Sequence, residues 1–303
     1  MSVKTVQAII NGVTTTLTYN SSTGKYEATI TAPSTSSYNN DGHYYPVTVK
    51  ATDDAGNVTT IDDTDASLGS SLRLQVKEKV APVIAITAPT ASALIANNKP
   101  TIRFTITDDD SGVNPDTIGV TIDSGSKVTG SAITKTAIEG GYQCTYTPAT
   151  ALSDGNHTIK VDASDNDGNA ATPKSVTFKV DTVPPTLSVT APTDGTVTNS
   201  SAVTVTGTTN DATSSPVSVT VKLNSGAAET VTVNTDGSFS KALTLATGVN
   251  TITVVATDSA GKTTTITRTV TLDTGAPVIH SVTLTPNPVD AGKTYIISVE
   301  VTD

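Results

Sequence analysis

The sequence predicts an all-β chain: antiparallel β-sandwiches following one another in an elongated array. Three observations carry this. About a fifth of the 303 residues are Thr, a β-branched type that suits a pleated, half-exposed surface and forms helices only moderately well. A strand-and-turn phrase recurs three times along the chain, and so does a proline-marked phrase that divides it. The units between the proline marks hold about 100 residues, a size at which a domain buries a core without disulfides or metal.

The strand phrase reads Val47-Thr-Val-Lys-Ala-Thr-Asp-Asp-Ala-Gly-Asn57, Ile159-Lys-Val-Asp-Ala-Ser-Asp-Asn-Asp-Gly-Asn169 and Ile252-Thr-Val-Val-Ala-Thr-Asp-Ser-Ala-Gly-Lys262. In each copy apolar residues alternate (Val47, Val49, Ala51; Ile159, Val161, Ala163; Ile252, Val254, Ala256), the period of a strand with one buried face. The Asp-x-x-Gly that follows supplies a turn. The proline phrase reads Val80-Ala-Pro-Val83, Val183-Pro-Pro-Thr186 and Gly275-Ala-Pro-Val278. Proline fixes φ and withholds a ladder donor, so it opens an edge strand and stiffens a short linker. An aromatic follows a Gly turn at Tyr26, Tyr142 and Phe239, and the three are expected in three separate cores. The expected divisions are 1–78, 79–181, 182–274 and 275–303.

Asp-Thr-x-x-Pro at residues 181–185 and 273–277, Thr204-Val-Thr-Gly-Thr208, Asn234-Thr-Asp-Gly-Ser-Phe239 and the Ala-Thr-Asp-x-Ala-Gly turn together resemble tandem bacterial immunoglobulin-like (Ig-like) domains. The likeness covers nearly the whole chain. It implies an Ig-like sandwich without the antibody Cys pair and core Trp. It also implies a non-enzymatic structural or adhesive role, since such modules serve as spacers, adhesin stalks and virion decorations. The ending Pro286-Asn-Pro-Val-x-x-Gly-x-x-Tyr-x-Ile-x-Val-Glu-Val301 resembles the ends of prophage tail proteins. That resemblance implies a phage or prophage tail component in the virion or outside the cell. The alternative is a bacterial cell-surface adhesin or stalk that binds glycan or host surface.

Aligning the units exposes an asymmetry. The third begins with strand A (186–190) and strand B (203–208) before Val217-Ser-Val-Thr-Val-Lys-Leu-Asn-Ser-Gly226, and the opening Val3-Lys-Thr-Val-Gln-Ala-Ile-Ile-Asn-Gly12 matches that third strand. Residues 277–284 match strand A and 295–303 match strand B. An isolated hairpin is marginal in water. The expectation is therefore that residues 275–303 form a two-strand half-domain completing the 1–78 half in trans, with Val278, Ile279, Val282, Leu284, Tyr295, Ile297, Val299 and Val301 as the assembly residues. The partner is another copy, head to tail, or another tail protein carrying the same half. Such a contact is heterologous and builds rings or filaments.

Composition excludes other classes. A net charge of -10, from 28 acidic and 18 basic residues without a basic cluster, repels phosphate backbones, so no nucleic-acid partner is expected. No apolar run approaches the roughly 20 residues of a membrane-crossing helix, so no membrane partner is expected either. The first twelve residues lack the long apolar core of a secretory signal. The lone Cys144, within Tyr142-Gln-Cys-Thr-Tyr146, reads as an apolar filler in a strand. His43, His157 and His280 fall in different units, and five scattered glutamates offer no glycosidase pair, so no catalytic residue is assigned.

Two candidate binding sites remain. The run Thr107-Asp-Asp-Asp-Ser-Gly112 with Asp116, and the turn Asp165-Asn-Asp-Gly168, place carboxylates where a calcium ion could gather oxygens: Asp108, Asp109, Asp110, Asp116, Asp165 and Asp167 are its candidate ligands. An EF-hand register fails, because it would put Ala163 and Lys174 at the first and last ligand places. The stretch Tyr38-Asn-Asn-Asp-Gly-His-Tyr-Tyr45 packs aromatics among polar groups, and strand parity sends Tyr45 inward with Val47. Tyr38, His43 and Tyr44 are left as a candidate ligand surface for sugar, such as bacterial surface glycan, or peptide.

Overall fold

The structure, a computed structural model, describes residues 2–303. The chain forms two compact units, one ending at Val180 and the other running from Asp181 to Asp303.

The first unit opens with β1 (Val3–Ile10) and β2 (Val13–Asn20), followed by β3 (Lys25–Glu27), β4 (Tyr45–Asp53), β5 (Val58–Ile61) and β6 (Arg73–Leu74). The β1–β2 turn is Asn11-Gly12, with φ of 47° and 76°, the doubly positive turn whose twist matches a two-residue hairpin. All six strands belong to one sheet, in the order β3-β2-β1-β4-β5 with β6 on β4.

The same unit continues with β7 (Val83–Ala88), β8 (Leu94–Ile95), β9 (Ile102–Thr107), β10 (Gly119–Ile122), β11 (Thr134–Ile138), β12 (Gly141–Tyr146), β13 (Gly155–Asp162) and β14 (Lys174–Val180). These make two facing sheets, β10-β13-β14-β8 and β11-β12-β9-β7. Alternation along each strand sends Ile102, Phe104, Ile106, Ile118, Val120, Ile159, Val161, Phe178 and Val180 into one core. Two facing sheets over one core make the sandwich architecture of an Ig-like domain.

The second unit comprises β15 (Thr186–Ala191), β16 (Thr196–Thr198), β17 (Ala202–Asn210), β18 (Ser218–Leu223), β19 (Glu229–Val231), β20 (Ser238–Thr244), β21 (Gly248–Thr257), β22 (Thr263–Leu272), β23 (Val278–Thr285) and β24 (Ile296–Thr302). Sheets β15-β17-β20 and β16-β22-β21-β18-β19 face each other over Val205, Val219, Val221, Phe239, Ile252, Val254, Val270 and Leu272. Among the described residues, strands β23 and β24 pair only with each other.

Two sheets against one is the main difference between the repeats. In the sandwiches, Ile159, Val161, Ile252, Val254 and Ala256 of the recurring phrase are 0% exposed. Their counterparts Val47, Val49 and Ala51 are only half-buried, and Ala8 and Tyr45 are the buried apolar residues of that sheet. The expectation that Tyr26 joins a core is corrected here. Phe239 is buried and Tyr142 packs on its core, but Tyr26 stays half-exposed, its ring 5.3 Å from that of Tyr19. A core needs a second layer, and β3 instead pairs back onto β2.

Candidate functional sites

Two acidic triads form at the entrances of the two sandwiches. In the second unit they are Asp181, Asp211 and Asp258, each offering a carboxylate oxygen, all within 4.8 Å of one another. In the first unit the same arrangement brings together Glu78, Asp108 and Asp165. The stations are equivalent. Glu78 and Asp181 stand four residues before Pro82 and Pro185. Asp108 and Asp211 each follow the residue paired with the first residue of the opening strand, Thr107 with Val83 and Asn210 with Thr186. Asp165 and Asp258 open the turn after the recurring strand phrase.

Local bonds fix each carboxylate. Asp211 Oδ1 accepts the backbone N–H groups of Thr213 at 2.7 Å and Ser214 at 2.6 Å. Asp181 Oδ1 accepts the N–H of Val183 at 3.1 Å, and its Oδ2 accepts the Ser214 hydroxyl. Asp258 Oδ1 accepts the Lys262 N–H at 2.9 Å, whereas Asp258 Oδ2 is buried with no hydrogen-bond partner. In the first unit, Asp108 Oδ1 accepts the Gly112 N–H at 2.7 Å, Glu78 Oε1 the Ser111 N–H at 2.7 Å, and Asp165 Oδ1 the Asn169 N–H at 2.7 Å. The Ser111 hydroxyl is buried without a partner. Burial, reinforced by the neighbouring charges of Glu78 and Asp165, raises the Asp108 carboxyl above its ordinary range despite its backbone bonds. The ion pairs Lys127–Asp162, His157–Asp123 and Lys241–Glu229 lie elsewhere.

The structure brings only some of the expected metal ligands together. Asp108 and Asp165 meet; Asp109, Asp110, Asp116 and Asp167 are not in the cluster. Both oxygens of Asp110 accept the Ser36 N–H, at 3.0 and 2.9 Å, and Asp167 Oδ2 accepts the Glu78 N–H at 3.0 Å. These two carboxylates tie the first sheet and its linker to the sandwich that follows. Asp109 and Asp116 are exposed. Sequence reasoning missed Glu78, Asp181, Asp211 and Asp258. The signal was the acidic residue four places before each marking proline.

The tyrosine-rich stretch splits into two environments. The rings of Tyr38 and His43 stack with centroids 4.3 Å apart, and line a shallow pocket with Ser37, Gln75, Lys77, Asn166 and Asp167. Tyr44 is engaged elsewhere: its hydroxyl donates to Asp63 Oδ2 at 2.7 Å and the Arg73 guanidinium lies 5.1 Å over its ring. The bond to Asp63 holds the Tyr44 hydroxyl above its ordinary pKa. Tyr45 is buried, its hydroxyl 2.7 Å from that of Thr35. Cys144 is fully buried, and burial pushes its thiol up to about 11.

The β23–β24 hairpin has one apolar face. Register places Ile279 opposite Val301, Val282 opposite Val299 and Leu284 opposite Ile297, and these six side chains are 43–64% exposed. Val278, opposite Thr302, turns to the other face, away from the rest of the expected assembly residues on these strands. Tyr295 lies just before β24 and is 49% exposed.

Residues 82–182 match the family model of a bacterial Ig-like domain, and residues 185–274 match that of glucodextranase domain B. No curated protein sequence matches significantly. Among solved structures, the fibronectin(III)-like modules of Clostridium thermocellum CbhA align over 63% of this chain and 94% of theirs, at 17% identity and a TM-score of 0.37. The Rst D1-D2 structure aligns over 64% and 100%, at 14% identity and 0.38. The D00-D0 domain of intimin aligns over 63% and 100%, at 15% identity and 0.28. The two double-layered sandwiches are tandem Ig-like β-sandwiches, and the first of them carries the bacterial Ig-like match.

Proposed function

We propose that this chain is a non-enzymatic structural and adhesive protein whose copies join head to tail by strand complementation. The observation that carries the reading is the β23–β24 hairpin: it pairs with no other strand and presents six exposed apolar side chains on one face. The surface it fits belongs to β1–β5. The strand order β2-β1-β4-β5 repeats the order β19-β18-β21-β22, while β23–β24 repeats the antiparallel β15–β17 pair that covers the latter sheet. A second copy therefore supplies the layer that this sheet lacks, with apolar burial as the driving force. The role fits a component of a phage or prophage tail, a reading supported by the likeness of residues 286–301 to the ends of such proteins. Tyr38 and His43 then offer a stacked aromatic face for a surface glycan. Among the described residues no helix is long and apolar enough to cross a membrane.

Sedimentation velocity over a concentration series tests the assembly. The full chain is expected to form concentration-dependent rings or filaments, and a chain ending at residue 276 to stay monomeric. Because the truncated chain keeps both sandwiches, its circular dichroism checks that they still fold. Identical monomeric sedimentation of both proteins would rule the reading out.

A further inference from the structure

We propose that Asp181, Asp211 and Asp258 bind a calcium ion that fastens residues 181–185 to the β17–β18 and β21–β22 loops, and that Glu78, Asp108 and Asp165 bind a second one in the same way. An ion that holds oxygens at about 2.4 Å places them no more than about 4.8 Å apart. The oxygens of each triad lie within 4.8 Å of one another.

Carboxylates gather in turns without metal, so the geometry alone decides nothing. The orphaned atoms decide it. Asp258 is 5% exposed, its Oδ1 is satisfied by Lys262, its Oδ2 is buried with no donor, and its carboxylate meets two more. Buried polar atoms are almost always paired, and an unpaired ionised oxygen next to like charges is the most costly exception. A cation is the partner that removes both costs at once. In the first unit Ser111, whose backbone N–H donates to Glu78 Oε1, has a buried hydroxyl with no partner. Ser111 stands three residues after Asp108, as Ser214 stands three after Asp211. Both triads also draw on the same three places: the linker, the end of the second long strand, and the turn after the recurring phrase. With three carboxylates and neighbouring backbone and hydroxyl oxygens, each site approaches the six to eight hard oxygens that calcium takes.

Calorimetry and binding stoichiometry on the full chain test this, with Asp258→Asn as the variant and magnesium as a control. In calcium at roughly 10 mM, above the weakest affinities of extracellular calcium modules, the wild type should melt at least about 2 °C higher than in chelator. Asn is isosteric and neutral. In chelator, Asp258→Asn should melt no lower than the wild type, because a crowded charge is gone. In calcium it should lose the rise that belongs to the second unit and bind one ion fewer. A residue that merely shapes the turn would instead lower the melting temperature equally in both buffers. That outcome, an unchanged stoichiometry, or a wild type indifferent to calcium would overturn the proposal.

Discussion

Phe239 crosses β17 in the space left by Gly207: a Cβ built on Gly207 would lie 2.5 Å from the Phe239 ring and 2.2 Å from the Ser188 carbonyl oxygen. The ring is 2% exposed and anchors the core of the second unit. Backbone cannot retreat as a flexible side chain does, so Gly207→Ala must part β15 from β17 or expel the ring. The expected loss is about 2–4 kcal/mol, read as a lower denaturant midpoint of the second unit's transition. A midpoint unchanged within error would mean that the strands separate freely at this point.

His157 is held between two acceptors, Asp123 Oδ2 at 2.8 Å from Nδ1 and the Ser153 carbonyl oxygen at 2.7 Å from Nε2. Neutral imidazole has one N–H, so only the imidazolium satisfies both. Burial pulls its pKa down, but the Ser153 carbonyl and then Asp123 outweigh that, and the folded pKa is raised above 6.5. The sign follows from linkage. A raised folded pKa contributes stability that is fully present below the unfolded value and is lost as pH rises through the folded one. The sandwich of β7–β14 should therefore lose stability as pH rises from the unfolded value of 6.5 through the raised folded one. In His157→Gln that slope should flatten. Melting curves of the two proteins across this window provide the check, and parallel slopes would contradict the imidazolium.

The sandwiches were legible in the sequence because alternation survives wherever a strand has one buried face. The phrases around Ile159 and Ile252 mark the inner positions, and those positions are sealed. The phrase around Val47 has the same alternation, yet its face is half-open. Period reports which way side chains point and carries no information about whether a second layer lies opposite. The acidic triads were half legible for a related reason. Asp108 and Asp165 sit in conspicuous runs, whereas Glu78 and Asp181 are single residues in linkers, brought in by long-range folding.

That difference in covering predicts a difference in cost. Val219 and Val6 occupy the same station, opposite Ala256 and Ala51, but Val219 is 0% exposed and Val6 is half-buried. Val219→Ala should destabilise the second unit by about 1–3 kcal/mol. Val6→Ala should cost the dilute monomer clearly less, and should weaken head-to-tail assembly if β23–β24 of a second copy covers it. Denaturation of dilute protein and sedimentation at high concentration separate the two effects; equal losses in dilute solution would mean that β1 is already sealed.

Asp53, Asp273 and Asp303 hold the same three stations as Asp258, Asp181 and Asp211. Asp53 Oδ1 accepts the Asn57 N–H at 2.8 Å, as Asp258 Oδ1 accepts that of Lys262. Asp273 stands four residues before Pro277 and accepts the Gly275 N–H at 2.9 Å, as Asp181 accepts that of Val183. Asp303 follows Thr302, the partner of Val278, as Asp211 follows Asn210, the partner of Thr186. Asp273 Oδ1 and Asp303 Oδ1 both lie near Gly275, 3.1 and 4.0 Å from the position a Cβ would take there. Docking the hairpin on the first sheet of another copy would bring Asp53 of that copy to them, so calcium should tighten assembly by on the order of tenfold. Asp53→Asn and Asp303→Asn should each abolish the calcium effect while leaving weaker, apolar assembly in place. Sedimentation with calcium and with chelator separates the outcomes. Assembly indifferent to calcium would remove the shared site and leave the docking, and no assembly in either buffer would remove both.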